Sequence, residues 1–331
     1  SAAVSPLEVM DAVIYRIETT NPTVNALPIL CLDRARERAR QMTEKPAADD
    51  PKGPLWGLPI AVKDYNDLAG VRTTYGSPIF ADNIAGQSDA TVATLEAAGA
   101  IAVGKSNVPE WAGAHTFNPV FGHTLNPWDS AVSAGGSSGG SAAALASGMA
   151  PLSIGTDAGG SIRIPAACCG VVGMKGTMGL VPHDTAPDGF GNFSNLGPMA
   201  RTVPDAALML SVMAGPHSND PHSHGLFIDD YVVAALGNGD LSGIKIGWIS
   251  HMGNELIDPE VLEACALRRD ALAGAGAEII EFDEPFENTE PYWLVITQSL
   301  WVARFEDKLA EYGDRMTPTL LRGIEEGRTY S

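Results

Sequence analysis

Apolar residues recur at helical spacing from the start of the chain, where Leu7, Met10, Ile14 and Ile17 share one face. Ser5 precedes them as the N-cap, Pro6 takes the first helical position, and Glu8 completes a capping box. A second helix is predicted over Asp33–Thr43, so densely charged that it belongs on the surface. Residues 44–54, polar and proline-bearing, read as a loop. The pattern then changes: Leu58-Pro59-Ile60-Ala61-Val62 is a continuous apolar run ending in Lys63 and Asp64, which predicts a buried strand. Ser88–Ala98 reads as a capped helix closed by Gly99, followed by a strand at Ile101–Gly104. Further strands are predicted at Leu152–Gly155, Val171–Met174, Ile244–Ile249 and Ala277–Phe282, and helices at Ser141–Ser147, Val203–Met213, Pro259–Leu272 and Pro291–Tyr312. This alternation predicts an α/β fold: one large domain spanning residues 1–331, with a mixed, largely parallel central sheet flanked by helices. The segment Pro182–Asn195, rich in Gly, Asp and Phe, is expected to be a mobile loop over a site.

Composition narrows the function classes. The 331 residues are 45% hydrophobic and 18% charged, a globular balance, and 40 acidic against 21 basic residues give a formal net charge of −19. No basic run occurs, which argues against a nucleic-acid or anionic-membrane partner. Cys31, Cys168, Cys169 and Cys265 have no CxxC spacing and are expected to be reduced and buried, in a cytoplasmic protein. No apolar stretch reaches the roughly eighteen residues a membrane span requires, and no leader pattern opens the chain.

Two glycine–serine clusters carry the candidate chemistry: Ala134-Gly135-Gly136-Ser137-Ser138-Gly139-Gly140-Ser141 and Thr156-Asp157-Ala158-Gly159-Gly160-Ser161-Ile162-Arg163. Glycine costs roughly 0.5–1 kcal/mol relative to alanine inside an element. Such concentration therefore points to bare backbone N–H groups, unusual dihedrals, or both. The first cluster is no phosphate-binding loop, because no lysine follows its glycines. It contains G-x-S-x-G around Ser137, the pattern of an esterase nucleophile elbow, but the turn-like residues 126–133 precede it where that motif needs a strand. His183, His217, His222, His224 and His251 remain as bases for that reading. In the second cluster, Ala158, Gly159, Gly160 and Ser161 could turn successive N–H groups toward an oxyanion beside the Ser161 hydroxyl, or form an ordinary turn before a helix. Lys63 taken alone reads as a solvated strand end; the alternative is a desolvated lysine whose neutral amine serves as a base. The sequence brings His217, His222 and His224 close together, yet without ligand spacing for zinc, so no metal is expected.

Several motifs in fixed order resemble the amidase signature family: Gly57–Asp64, Gly104–Glu110, Phe121–Trp128, both glycine–serine clusters, Pro165-Ala166, Cys169–Lys175 and Gly197–Arg201. The 24 residues separating Ser137 from Ser161 match that family's pattern. The resemblance implies the amidase signature fold, incomplete here at both termini and especially at the C-terminal end. It also implies hydrolysis of a carboxylic amide through an acyl-enzyme, without a cofactor, by a Ser–cis-Ser–Lys triad. Ser161 is then the nucleophile, Ser137 the bridging serine after a cis bond, and Lys63 the base. Ala158, Gly159, Gly160 and Ser161 supply backbone N–H groups for the oxyanion. Ser138, Asp157 and Arg163 support the triad, and Trp111 and Phe117 line the substrate pocket. The expected partner is a small-molecule amide, with a homodimer among the assemblies to test. A second reading is the glutaminase component of a glutamyl-tRNA amidotransferase, which acts within a complex. Pro109-Glu110-Trp111-Ala112-Gly113 and Asp157-Ala158-Gly159 depart from the Asp-Glu-Phe-Ala-Met-Gly and Asp-Thr-Gly of those proteins.

Overall fold

The capping box forms as the sequence predicts. Ser5 Oγ accepts from the Glu8 N–H and the Glu8 carboxylate accepts from the Ser5 N–H, opening α1 (Pro6–Val24), which buries Met10, Val13, Ile17 and Val24. The computed structural model describes residues 4–44, 53–112, 115–184, 193–225, 230–252, 254, 256–282 and 287–330. After α1 come β1 (Ile29–Leu30), α2 (Leu32–Glu44), β2 (Pro59–Lys63), α3 (Ala90–Ala97) and β3 (Ile101–Ser106). A small hairpin of β4 (Phe117–Asn118) and β5 (Gly122–His123) precedes α4 (Gly139–Ala146), β6 (Leu152–Asp157), α5 (Arg163–Cys169), β7 (Val172–Gly173) and β8 (Asn195–Ala200). The chain continues through α6 (Val203–Met213), α7 (Tyr231–Leu236), β9 (Lys245–Trp248), α8 (Pro259–Gly274) and β10 (Glu278–Glu281). It closes with α9 (Glu290–Phe305), α10 (Leu309–Tyr312) and α11 (Pro318–Gly327).

The central sheet has the order β1-β3-β2-β6-β8-β7, with β2, β3, β6 and β7 pointing one way and β1 and β8 reversed. It is mixed and largely parallel, as expected. Its central strands are buried on both faces, which is why they read as unbroken apolar runs. Ala61 faces a core built from α1, α2 and α4, whereas Ile60 and Val62 face a second core built from α3 and α6. A bulge decides what the strand ends do. Ile60 pairs with Ala102 but Ala61 pairs with Gly104, so Val103 is the extra residue. Beyond it Lys105 shares the Val62 face and Ser106 shares the Lys63 face.

Three elements differ from the sequence expectation. β8 lies in the middle of the sheet although it contains Gly197 and Pro198. The Pro198 carbonyl accepts from the Met174 N–H (3.1 Å), so its missing N–H faces the short β7 side and leaves the β6 ladder intact. The predicted helix at Pro291–Tyr312 ends at Phe305 and resumes only as the single turn α10. α3 takes its cap from a distance, since the Ala90 N–H donates to the Asp184 carboxylate rather than to Ser88 or Asp89. Cys168 and Cys265 are exposed, not buried. The expected loop at 182–195 falls mostly on residues 185–192, outside the described residues. Among the described residues no helix is long and apolar enough to cross a membrane.

Candidate active site

β2 and β6 are adjacent parallel strands, and their C-terminal ends deliver Lys63 and Thr156 to the same spot. The opening of α4 packs over that spot. Gly140 explains how it comes so close, because a Cβ there would lie 2.3 Å from the Asn107 nitrogen. The Gly140 N–H instead donates to the Asn107 carbonyl at 3.2 Å. Ser106 and Ser141 join hydroxyls at 2.7 Å across the same seam. The Gly136–Ser137 peptide bond is cis.

The Lys63 amine is fully buried and meets the hydroxyls of Ser137 (2.8 Å), Ser138 (2.7 Å) and Thr156 (2.7 Å), with the Thr156 carbonyl at 3.3 Å. None of these groups is charged. Burial therefore pulls its pKa well below the ordinary lysine value, with only the more distant Asp157 carboxylate opposing. A neutral amine has two N–H donors and one lone pair, so in this shell at least one hydroxyl can donate to it. Thr156 carries no role in the sequence reading. Its signal was available only as a hydroxyl directly before Asp157 on a strand parallel to β2.

Asp157 organises the second cluster. Its carboxylate accepts from the Gly160 N–H (2.8 Å), the Ile162 N–H (3.1 Å) and the Arg163 guanidinium (2.9 and 3.0 Å), folding the 158–162 loop around itself. Burial would raise its pKa, but the Arg163 and backbone hydrogen bonds outweigh burial and take it to about 2. The expected donor set changes accordingly. The Gly160 N–H is spent on Asp157, whereas the N–H groups of Ala158, Gly159 and Ser161 have no acceptor among the described residues. Ser161 is half-buried and abuts the first cluster, its carbonyl accepting from the Ser138 N–H at 3.1 Å. Its hydroxyl makes no hydrogen bond among the described residues, so Ser137 is joined to Lys63 but not to Ser161.

Trp111 and Phe117 part company. Trp111 stacks on Tyr75 (5.1 Å between centroids) and on Tyr65 (6.3 Å), and Tyr65 in turn lies 4.8 Å from the Lys63 amine. Phe117 sits exposed on the β4–β5 hairpin with its ring against His123. Two residues absent from the sequence reading come to the site from α9. Trp293 lies on the 158–162 loop, 3.1 Å from where a Gly159 Cβ would be, and the Arg304 guanidinium lies 4.1 Å from the Trp111 centroid. No strand precedes the Ser137 cluster over residues 126–133, so the nucleophile-elbow context is missing. The His217–His224 loop is closed by its own hydrogen bonds to Ser223 and Asp220. Among the described residues no group of His, Cys, Asp or Glu is arranged to hold a metal ion.

Comparison with known proteins places the chain in a family. Residues 8–326 match the Amidase family. An acylamidase of Rhodococcus erythropolis is 39% identical over 98% of this chain and 70% of its own length. The glutamyl-tRNA(Gln) amidotransferase of Nitratidesulfovibrio vulgaris (strain DP4) has a component, its A chain, that is also 39% identical, over 91% of this chain. The chain spans 62% of that relative's length. The crystal structure of a bacterial aryl acylamidase superposes with a TM-score of 0.91 at 29% identity, covering 99% of this chain and 70% of the other. The chain belongs to the amidase signature family.

Proposed function

We propose that this chain carries the catalytic core of a serine amide hydrolase that works by a Ser161–Ser137–Lys63 relay. The observation that carries the reading is a buried lysine amine with no carboxylate beside it, 2.8 Å from the Ser137 hydroxyl. The neutral amine takes the Ser137 proton while Ser137 takes the Ser161 proton, once the Ser161 hydroxyl has rotated onto Ser137. The Ser161 oxygen then bonds to the amide carbon. The developing oxyanion is met by the N–H groups of Ala158, Gly159 and Ser161, each such donor contributing about 3–4 kcal/mol to the transition state. Collapse breaks the C–N bond, and the proton held by Lys63 returns through Ser137 to the leaving nitrogen. Water attacks the Ser161 ester by the same relay and releases the carboxylate. Asp157 and Arg163 hold the donor loop, and Ser138 and Thr156 hold the amine.

The test is labelling with a fluorophosphonate. The protein should form one adduct at Ser161, and Ser161→Ala should abolish it; an adduct at Ser137 in both proteins would favour the esterase alternative and overturn this assignment. A second reading rests on the equal 39% identity to the amidotransferase component. In that case the same relay releases ammonia from glutamine only when the other components of such a complex are added.

A further inference from the structure

α9 brings two side chains to the site from one face. Trp293 and Arg304 are separated by close to three helical turns, which sets them roughly 16 Å apart along the axis. At one end Trp293 covers the Gly159 backbone of the nucleophile loop. At the other end the Arg304 guanidinium lies over the Trp111 ring, within the Tyr65–Tyr75–Trp111 stack that begins beside Lys63. α9 is thus a wall running from the nucleophile to a cation.

That cation has no carboxylate partner among the described residues. Arg34, Arg36, Arg40, Arg163, Arg269 and Arg328 each meet a carboxylate within ion-pair distance. Arg304 is one of eight arginines with no such contact among the described residues, and of these it is the one that lies on the Trp111 ring. The face of its guanidinium is occupied by an indole, and Phe305 lies at 5.9 Å. Stacking fixes the plane of an arginine and leaves its edge, with its forked N–H donors, free. A forked edge fits a carboxylate bidentately. The indole N–H groups of Trp111 and Trp293 are buried without hydrogen-bond partners among the described residues.

We infer that the substrate is an elongated amide carrying a carboxylate at the end remote from the scissile bond, and that Arg304, presented on Trp111, is the residue that selects it. This rests on the amide-hydrolase reading above. The monoamide of dodecanedioic acid, with a primary amide at one end and a carboxylate at the other and long enough to span the wall, is compared with the neutral diamide of the same acid. Two measurements are made: ammonia release by the intact protein, and binding to Ser161→Ala by tryptophan fluorescence. The acid should bind at least tenfold tighter than the diamide. Arg304→Gln should erase that preference, and Arg304→Lys should restore part of it. Equal affinity for the two compounds, or a preference that survives Arg304→Gln, overturns the inference. Binding with the expected preference but no ammonia from either compound would leave Arg304 as the selector and refute the hydrolytic reading instead.

Discussion

Two lysines close two neighbouring strands of this sheet, and their surroundings assign them opposite duties. Lys63 ends β2 and Lys105 lies near the end of β3, each after an apolar run, and both side chains are fully buried. Lys63 meets three hydroxyls and a carbonyl. Lys105 meets the Asp64 carboxylate at 3.1 Å and the Thr73 hydroxyl at 2.7 Å, and Asp64 is held in turn by Thr74. Burial depresses both amines, but at Lys105 the adjacent carboxylate opposes it directly, so that lysine is held as an ion pair. Burial alone does not fit a lysine for the base role proposed for Lys63; the absence of a neighbouring charge does. The bulge at Val103 separates the two environments. Strict alternation from Ile101 and Val103 would turn Lys105 toward the α4 side that Lys63 occupies, and the inserted residue turns it to the other face.

The sharpest way to break this comparison is to remove both amines in turn. Lys63→Met should lower kcat by at least about four orders of magnitude, as loss of a relay member does, while the urea midpoint holds or rises because no buried charge is orphaned. Lys105→Met leaves the Asp64 carboxylate buried and unpaired, which should cost about 3–5 kcal/mol of stability. A stable Lys105→Met with reduced kcat, or an unstable Lys63→Met, would reverse the assignment. The pH dependence carries the same distinction. Lys63 titrates well below its unfolded value, so the folded state binds fewer protons there. The rate should rise with pH through the depressed pKa and level off just above it, whereas the stability contribution should begin to rise there and level off only toward the unfolded value, near 10.5. Lys63→Met should lose that stability component.

A smaller effect is expected at Asp157, the carboxylate whose charge reaches Lys63 from a distance. Asp157→Asn keeps the shape but removes the charge that holds Gly160, Ile162 and Arg163. About 2 kcal/mol of stability should be lost, the usual range for a charged hydrogen-bond network with one half-exposed partner. Because the folded pKa is about 2 against 3.8 unfolded, the wild type should lose this contribution as pH falls between those values, and Asp157→Asn should show no such loss. kcat should fall with the loop's order, and the Lys63 titration should move to lower pH, because the one carboxylate opposing its depression is gone. An acid-stability profile identical in the two proteins would mean that Asp157 does not hold the loop.

How far the sequence discloses this site depends on the range of the interactions. The capping box at Ser5, the apolar strands ending in Lys63 and Lys105, and the glycine clusters are local, and their positions are legible from the residues themselves. Asp64 turning away from Lys63 follows from alternation. The partner that marks Lys105 as structural comes from Asp64 and Thr73, which only the sheet brings to it. β8 was hidden because Pro198 argues against a central strand until one knows which side its missing N–H faces. Trp293 and Arg304 were hidden because α9 docks from more than a hundred residues away. Trp111 was assigned by resemblance and lies near Lys63 through Tyr65, whereas Phe117, assigned in the same way, contacts His123 instead.

The finest test concerns Thr156, whose hydroxyl separates two descriptions of the Lys63 shell. If the three hydroxyls act only as filler, Thr156→Val, nearly the same shape, should change little. If they are the polar shell that keeps the amine from still deeper depression, losing one neutral hydrogen bond should remove about 1 kcal/mol of support from the charged form. The rate–pH profile would then move to lower pH by somewhat under one unit. The plateau rate should fall only severalfold, because Ser137 still faces the lone pair and the Thr156 carbonyl remains at 3.3 Å. A shift to higher pH would mean that the hydroxyl had been donating to the amine and favouring its neutral form. That outcome would make Thr156, rather than Ser137, the residue whose proton rests on Lys63 in the resting enzyme.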